Sequence, residues 1–328
     1  MNKKIVYTDI LKDSNKVILS SLTNIILPIT LILFLILCIF VLISNADENR
    51  TDFTGFNTAA VGDWACNDDT QNTVKNIITK KPELVLALGD LSYQKSSDCW
   101  FKIISSLDNV TEIVRGDHDN DARMAQYMKH FKMSKEFYSF NDKNIHFLIM
   151  STEAPYEVNS EQFQFVKTDL ENVSTDSNIR WTIVAYHQPA YTSPTDCKGC
   201  SPRVMLREIY HPLFDKYGVD LVLQAHDHNY ERTYPISFNR QDSDEPKIVN
   251  NNENNYNFTT DDPHGIVFAT VGTGGGELNL FDGKAPYVAK QYRGFGFLNI
   301  NLANNGKRLS CTFIANNGTS YDEFTINK

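Results

Sequence analysis

Basic residues are too scarce for this chain to coat a nucleic acid. Its 31 Lys and Arg are outnumbered by 40 Asp and Glu, a formal net charge of −9, and phosphate-backbone binding needs a basic surface. Small phosphorylated substrates stay open, because a bound metal can supply positive charge locally. A second Cys-x-x-Cys is also missing. Cys197-Lys-Gly-Cys200 stands alone in a Ser/Thr/Pro/Gly-rich loop, which excludes a zinc ribbon. A loop disulfide or plain thiols are its ordinary readings, and it lacks the strand-to-helix setting of a redox motif. Of the six cysteines, Cys38 lies in an apolar stretch, so an odd number remains for the globular part and at least one of those has no partner in a monomer. No internal repeat is visible. A chain of 328 residues buries enough core to fold without a disulfide framework.

Charge is absent altogether from residues 17–44, VILSSLTNIILPITLILFLILCIFVLIS. At a rise of about 1.5 Å per residue that run crosses a hydrocarbon core of about 30 Å. Lys3, Lys4, Lys12 and Lys16 precede it, and Asp47 and Glu48 follow. The expectation is a cytoplasmic N-terminus over 1–16, a single transmembrane signal anchor over 17–44, a polar linker over 45–56, and a domain over 57–328 outside the cytoplasm. Ser44-Asn45-Ala46 resembles a cleavage site that would release a secreted domain. However, the apolar core from Ile25 to Ile43 exceeds the about 7–15 residues of a signal-peptide core, which favours an uncleaved anchor. Sequons at Asn49, Asn109, Asn172, Asn257 and Asn317 agree with export. They weigh little in so Asn-rich a chain.

Beyond the linker, apolar runs alternate with helical patterns. Strands are expected at 57–61, 84–88, 111–114, 145–150, 181–185 and 219–223, and helices at 70–79, 99–107, 121–131, 160–171 and 203–217. Ser160 is the expected N-cap of the fourth helix. The alternation argues for an α/β fold. After residue 230 the helical patterns stop. Runs at 266–271, 295–302, 308–314 and 321–326 read as strands joined by Asn-Gly turns, supplying antiparallel strands to a second sheet. Residues 239–262, rich in Asn and Asp, read as a flexible surface insertion.

The chemistry sits just past the strands. Gly62-Asp63 follows the first, Gly89-Asp90-Leu91-Ser92-Tyr93 the second and Gly116-Asp117-His118-Asp119 the third. Tyr186-His187 follows the strand at 181–185, and His226-Asp227-His228 follows the one at 219–223. Ligands of α/β sheets bind outside the carboxyl ends of the strands, so these side chains should converge. One Gly-Asp alone is usually a turn, and one His-x-His alone is usually structural. Their joint occurrence in order is what points to metal. Carboxylates, imidazoles and a phenol suit iron, zinc or manganese. Two such ions activate water and clamp the oxygens of a displacement at phosphorus.

Taken together, the blocks GDW, GDLSY, GDHD, AYHQP and AHDHNYER resemble those of the calcineurin-like metallophosphoesterases, and the second and last are similar to the purple acid phosphatase branch in particular. The resemblance implies an αββα four-layer sandwich of two mixed β-sheets, here following one N-terminal transmembrane helix. It implies an acid phosphatase-like hydrolase that cleaves phosphate monoesters by metal-hydroxide attack. Asp63, Tyr93 and His228 would hold Fe(III), Asp90 would bridge, and Asp117, His187 and His226 would hold Fe(II), Zn or Mn. His118 would contact the phosphate and assist the leaving group. His130, His146, His211 and His264 fall outside the blocks and read as structural or surface residues. The alternatives are a phosphodiesterase or nucleotide hydrolase on the same site, and a membrane-tethered binding domain with weak turnover.

Two positions depart from the family pattern, Asp117 where Asn is usual and Ala225 where Gly is usual. With Fe³⁺, a divalent partner and one hydroxide, the Asp117 ligand set sums to about zero charge, against about +1 for an Asn version. That predicts weaker attraction for a monoester dianion and tighter hold on the cations. Cys66 and Cys99 each follow a motif Asp closely, and a bridge between them is expected.

Overall fold

The computed structural model describes residues 55–196, 203–258 and 264–328. The apolar segment at 17–44, most of the linker, Asn49 and the Cys197/Cys200 pair lie outside the described residues. Among the described residues no helix is long and apolar enough to cross a membrane. Among the described residues the first buried one is Phe56, its ring 6.3 Å from that of Phe147.

The chain opens with β1 (Asn57–Val61), α1 (Asp68–Thr79), β2 (Leu84–Ala87), α2 (Asp98–Ile104), β3 (Thr111–Ile113) and α3 (Asp121–His130). It continues with β4 (Tyr138–Asp142), β5 (Ile145–Ile149), α4 (Glu161–Val173), β6 (Trp181–Ala185), α5 (His211–Tyr217), β7 (Leu221–Gln224) and β8 (Tyr230–Thr233). Short strands β9 (Ile236–Ser237), β10 (Lys247–Ile248) and β11 (Asn255–Asn257) precede β12 (Val267–Val271), β13 (Val288–Tyr292), β14 (Gly296–Ala303), β15 (Arg308–Ala315) and β16 (Ser320–Asn327). Helix starts follow their caps. Asn67 accepts from Thr70 N at 2.9 Å, and Ser160, as expected, from Phe163 N at 3.1 Å. The helix expected over 203–217 divides into a π turn at Leu206–Tyr210 and α5. Pro212 lacks an N–H and crowds the carbonyl one turn back, so the ladder widens there.

Two seven-stranded mixed sheets result, ordered β11-β16-β15-β14-β1-β2-β3 and β13-β8-β12-β7-β6-β5-β4. In the first, β1, β2 and β3 run parallel and β14 pairs antiparallel with β1. In the second, β5, β6, β7 and β12 run parallel. The C-terminal strands divide: β12 enters the second sheet, parallel to β7 and antiparallel to β8, whereas β14, β15 and β16, antiparallel to one another as expected, return to the first sheet beside β1. Residues 239–262 are not a featureless insertion either. Within them β11 adds an edge strand parallel to β16, and Tyr256 is fully buried.

Period-two alternation sorts the second sheet into two faces. Phe147, Ile183, Leu223 and Ala269 join a core that also holds the first sheet and Val74, Ile77, Trp100, Ile104, Met124 and Tyr127 of α1, α2 and α3. Their neighbours Leu148, Val184, Val222 and Phe268 pack instead with Val166 and Leu170 of α4 and Phe214 of α5. The order helices, sheet, sheet, helices is the expected four-layer arrangement. Tyr230 stacks on Phe313 between the sheets, with centroids 4.2 Å apart.

Candidate metal centre

The parallel strands β1, β2, β3, β6 and β7 deliver their carboxyl ends to one edge, and each is followed shortly by a motif residue, Asp63, Asp90, Asp117, His187 and His226 in turn. Three of those residues adopt left-handed backbone, with φ of 63° at Asp63, 49° at Asp90 and 69° at His226. Such angles are costly for residues with a Cβ and mark sites held by their surroundings. Ala225 is not among the positive-φ residues, so the departure from Gly there adds no backbone strain. Gly116, by contrast, is obligatory, since a Cβ on it would lie 2.2 Å from Asp90 Oδ1.

Every residue expected at the site enters one contiguous cluster. Tyr93 Oη lies 2.8 Å from His228 Nε2 and 3.2 Å from Asp63 Oδ1. His228 Nε2 is 3.3 Å from Asp63 Oδ1. The His226 N–H donates to Asp63 Oδ2 at 3.0 Å, and the His118 N–H donates to Asp90 Oδ1 at 2.8 Å. His187 Nε2 is 3.6 Å from Asp90 Oδ1 and 3.1 Å from Asp117 Oδ1, which His226 Nδ1 also approaches at 2.9 Å. The exposed His118 ring stands edge-on to Tyr93, with centroids 5.0 Å apart and Nε2 3.9 Å from Asp117 Oδ2.

Two imidazoles are oriented by carbonyls. His187 Nδ1 is 2.8 Å from Leu88 O, and His228 Nδ1 is 2.6 Å from Glu277 O. A carbonyl only accepts, so both Nδ1 atoms carry hydrogen and both Nε2 atoms face the carboxylates. Burial favours the neutral form of the Asp63 carboxyl, but the His228 charge outweighs it and holds the group below its usual range. Burial likewise opposes charge on His228, yet Asp63 lifts it to about 9. Burial, then the charge of Asp63, raises the Tyr93 phenol far above its ordinary value.

This pocket demands positive charge. Asp63 and Asp90 are buried, and among the described residues no Lys or Arg pairs with them or with Asp117. Buried carboxylates are stable only when a cation meets them, and here, against burial, their charge favours the protonated forms of His187 and His228. The donor atoms fit metal ions. Asp117, His187 and His226 bring ligand atoms within 4.8 Å of one another, as do Asp63, Asp90 and His187, and Asp90, Asp117 and His118.

Some contributors had no role assigned from the sequence. Asp119 accepts from Leu91 N at 3.1 Å and Gly116 N at 3.0 Å, binding the second and third motif loops together. Burial, then the charge of Asp90, pushes its carboxyl up to about 7. The glycine-rich run after β12 lies against the cluster, with Gly276 N donating to Asp63 O at 2.8 Å. A Cβ on Gly276 would come 2.7 Å from the His228 ring. The run Gly272-Thr273-Gly274-Gly275-Gly276 was the signal available for it. Cys66 and Cys99 form the expected disulfide. His130, His146, His211 and His264 bond elsewhere, to Asp108, Asp169, Tyr191 and Val219 O respectively.

A four-layer αββα sandwich with Asp, His and Tyr side chains gathered at the strand ends defines a metallophosphoesterase-like protein. The chain belongs to the calcineurin-like phosphoesterase family, whose profile matches residues 56–230. It is 26% identical over 259 residues to purple acid phosphatase 15 of Arabidopsis thaliana, covering 66% of this chain and 44% of that one. Acid phosphatase type 7 of Homo sapiens is 27% identical over 254 residues, 68% of this chain and 55% of that one. The chain thus spans about half the length of these relatives. The fold is shared with the purple acid phosphatase PPD1 of yellow lupin, at a TM-score of 0.68 and 22% identity over 84% of this chain and 54% of that one.

Proposed function

We propose that this chain hydrolyses phosphate monoesters at a two-metal centre, in a domain held outside the cytoplasm by the apolar segment at 17–44. One observation carries the reading. Asp63, Asp90 and Asp117 meet in one pocket with His187, His226 and His228 and with no Lys or Arg pairing to them among the described residues. Asp63, Tyr93 and His228 would hold one ion, Fe(III) in this reading, Asp117, His187 and His226 would hold the other, Fe(II), Zn or Mn, and Asp90 would serve both. Once bound, such ions would supply a water activated near neutral pH and positive charge for the phosphoryl oxygens. The chain's own residues orient and protonate. His118, exposed beside Tyr93, is placed to meet the phosphate and give a proton to the departing oxygen. The departing alcohol then leaves into solvent.

Similarity to the two phosphatases above supports the activity. The run of 17–44 without charge supports the anchor. Purified full chain, loaded with iron and zinc, should turn over a chromogenic phosphate monoester, and Asp90→Asn should abolish turnover. A metal-loaded chain that cleaves neither monoester nor diester sinks the catalytic reading. It would favour the second one, a membrane-tethered domain that binds metals without turnover, which the charge of Asp117 otherwise recommends.

A further inference from the structure

His228 stands four residues past the end of β7, beyond any ladder that could hold its backbone. It is nevertheless among the most fully tied residues of the cluster. Its N–H donates to Asn279 Oδ1 at 2.7 Å, its carbonyl accepts from Asn279 N at 3.0 Å, and its Nδ1 meets Glu277 O at 2.6 Å. Every polar atom of His228 except Nε2 is therefore taken by residues 277–279. That segment is braced in turn. Arg293 donates from Nε to Asn279 O and from Nη2 to Leu278 O, both at 3.1 Å. Leu280 and Asp196 exchange two bonds, of 2.7 Å and 3.0 Å.

We propose that Asn279 is a positioning residue for His228, and that Arg293 braces it from the surface. Asn279 grips the backbone on both sides of the imidazole while the Glu277 carbonyl sets its tautomer. Nε2 is thereby aimed at Asp63 and Tyr93 before any ion arrives. Asn279 does not touch substrate or metal; it acts through His228. The inference rests on the reading that Asp63, Tyr93 and His228 hold one ion of a pair.

The test is titration of the metal-free full chain, purified in mild detergent, with Zn²⁺ by calorimetry. Ultraviolet difference absorbance of Tyr93 marks the site beside His228. The unaltered chain should take two ions. Asn279→Ala should weaken the Tyr93 site by about 10- to 100-fold, the usual loss when an outer partner of a metal ligand goes, and leave the other site unchanged. Asn279→Asp should keep the affinity, because a carboxylate oxygen accepts the same His228 N–H. Arg293→Ala, a change at the surface, should give a smaller loss at the same site. Two unchanged sites in Asn279→Ala overturn the proposal, as does Asn279→Asp losing as much as Ala. Should Asn279→Ala fail to fold, an unchanged Tyr93 site in Arg293→Ala overturns it. An unaltered chain that binds fewer than two ions removes the centre itself, and the proposed function falls with it.

Discussion

Replacing Asp117 with Asn removes one negative charge and keeps an oxygen where Oδ1 now lies 3.1 Å from His187 Nε2 and 2.9 Å from His226 Nδ1. The geometry is retained, so the change tests charge alone. The surroundings of Asp117 favour its carboxylate form. Burial favours its neutral form, but the hydrogen bonds of His187 and His226 outweigh that and hold it below the usual range. A unit charge about 5 Å from a phosphate contributes about 3 kcal/mol at an effective dielectric of about 20. The Asp117 side chain is 30% exposed, and water and salt reduce that to about 1–1.5 kcal/mol. A monoester dianion bears one charge more than a diester monoanion. The variant should therefore gain about tenfold in monoester over diester kcat/KM. The comparison pairs a nitrophenyl monoester with the bis-nitrophenyl diester above about pH 6, where the second phosphate proton is lost. Metal content is measured alongside, because the variant should also release its ions faster to a chelator. An unchanged ratio at unchanged metal content refutes the charge argument.

Further outcomes follow from other contacts. Tyr93→Phe should abolish the visible iron-tyrosinate absorption of ferric-loaded protein, and should loosen His228 by deleting the 2.8 Å contact. Replacing Cys66 and Cys99 together by Ser opens a bridge spanning 33 residues. It should cost about 3–4 kcal/mol in denaturant melts, since chain-entropy stabilisation grows with loop length. Asp322→Ala strands the Arg232 guanidinium, which is 1% exposed and lies 2.6 Å from Asp322. Breaking such a buried pair costs about 3–5 kcal/mol, so the melting temperature should drop well below that of a surface Asp→Ala control. Chelation should stop turnover and lower the melting temperature together, because bound ions stabilise only the folded cluster.

The site was legible because its chemistry is concentrated where chain direction makes it visible. Parallel strands must end on one side of a sheet, so β1, β2, β3, β6 and β7 carried their Asp and His residues to one edge whatever the rest of the chain did. What stayed hidden is non-local. β8 is fully buried yet reads Tyr-Glu-Arg-Thr, the opposite of the apolar run expected of a central strand. Its charges are tolerable only because partners arrive from afar. Ser193 N reaches Glu231 at 2.8 Å and Asp322 takes Arg232, neither inferable from local pattern. The same holds for β14, β15 and β16. Their alternation announced strands, but which sheet they join depends on β14 pairing with β1 across more than half the chain. Asn279 is the sharpest case. Sequence places it fifty-one residues from His228 in a stretch without a metal motif, and only the folded loop shows it gripping both backbone groups of that histidine. Motifs name the atoms that touch an ion. The residues that aim those atoms are chosen by whichever segment the fold lays alongside, and they are found only by following each ligand's remaining polar atoms to their partners.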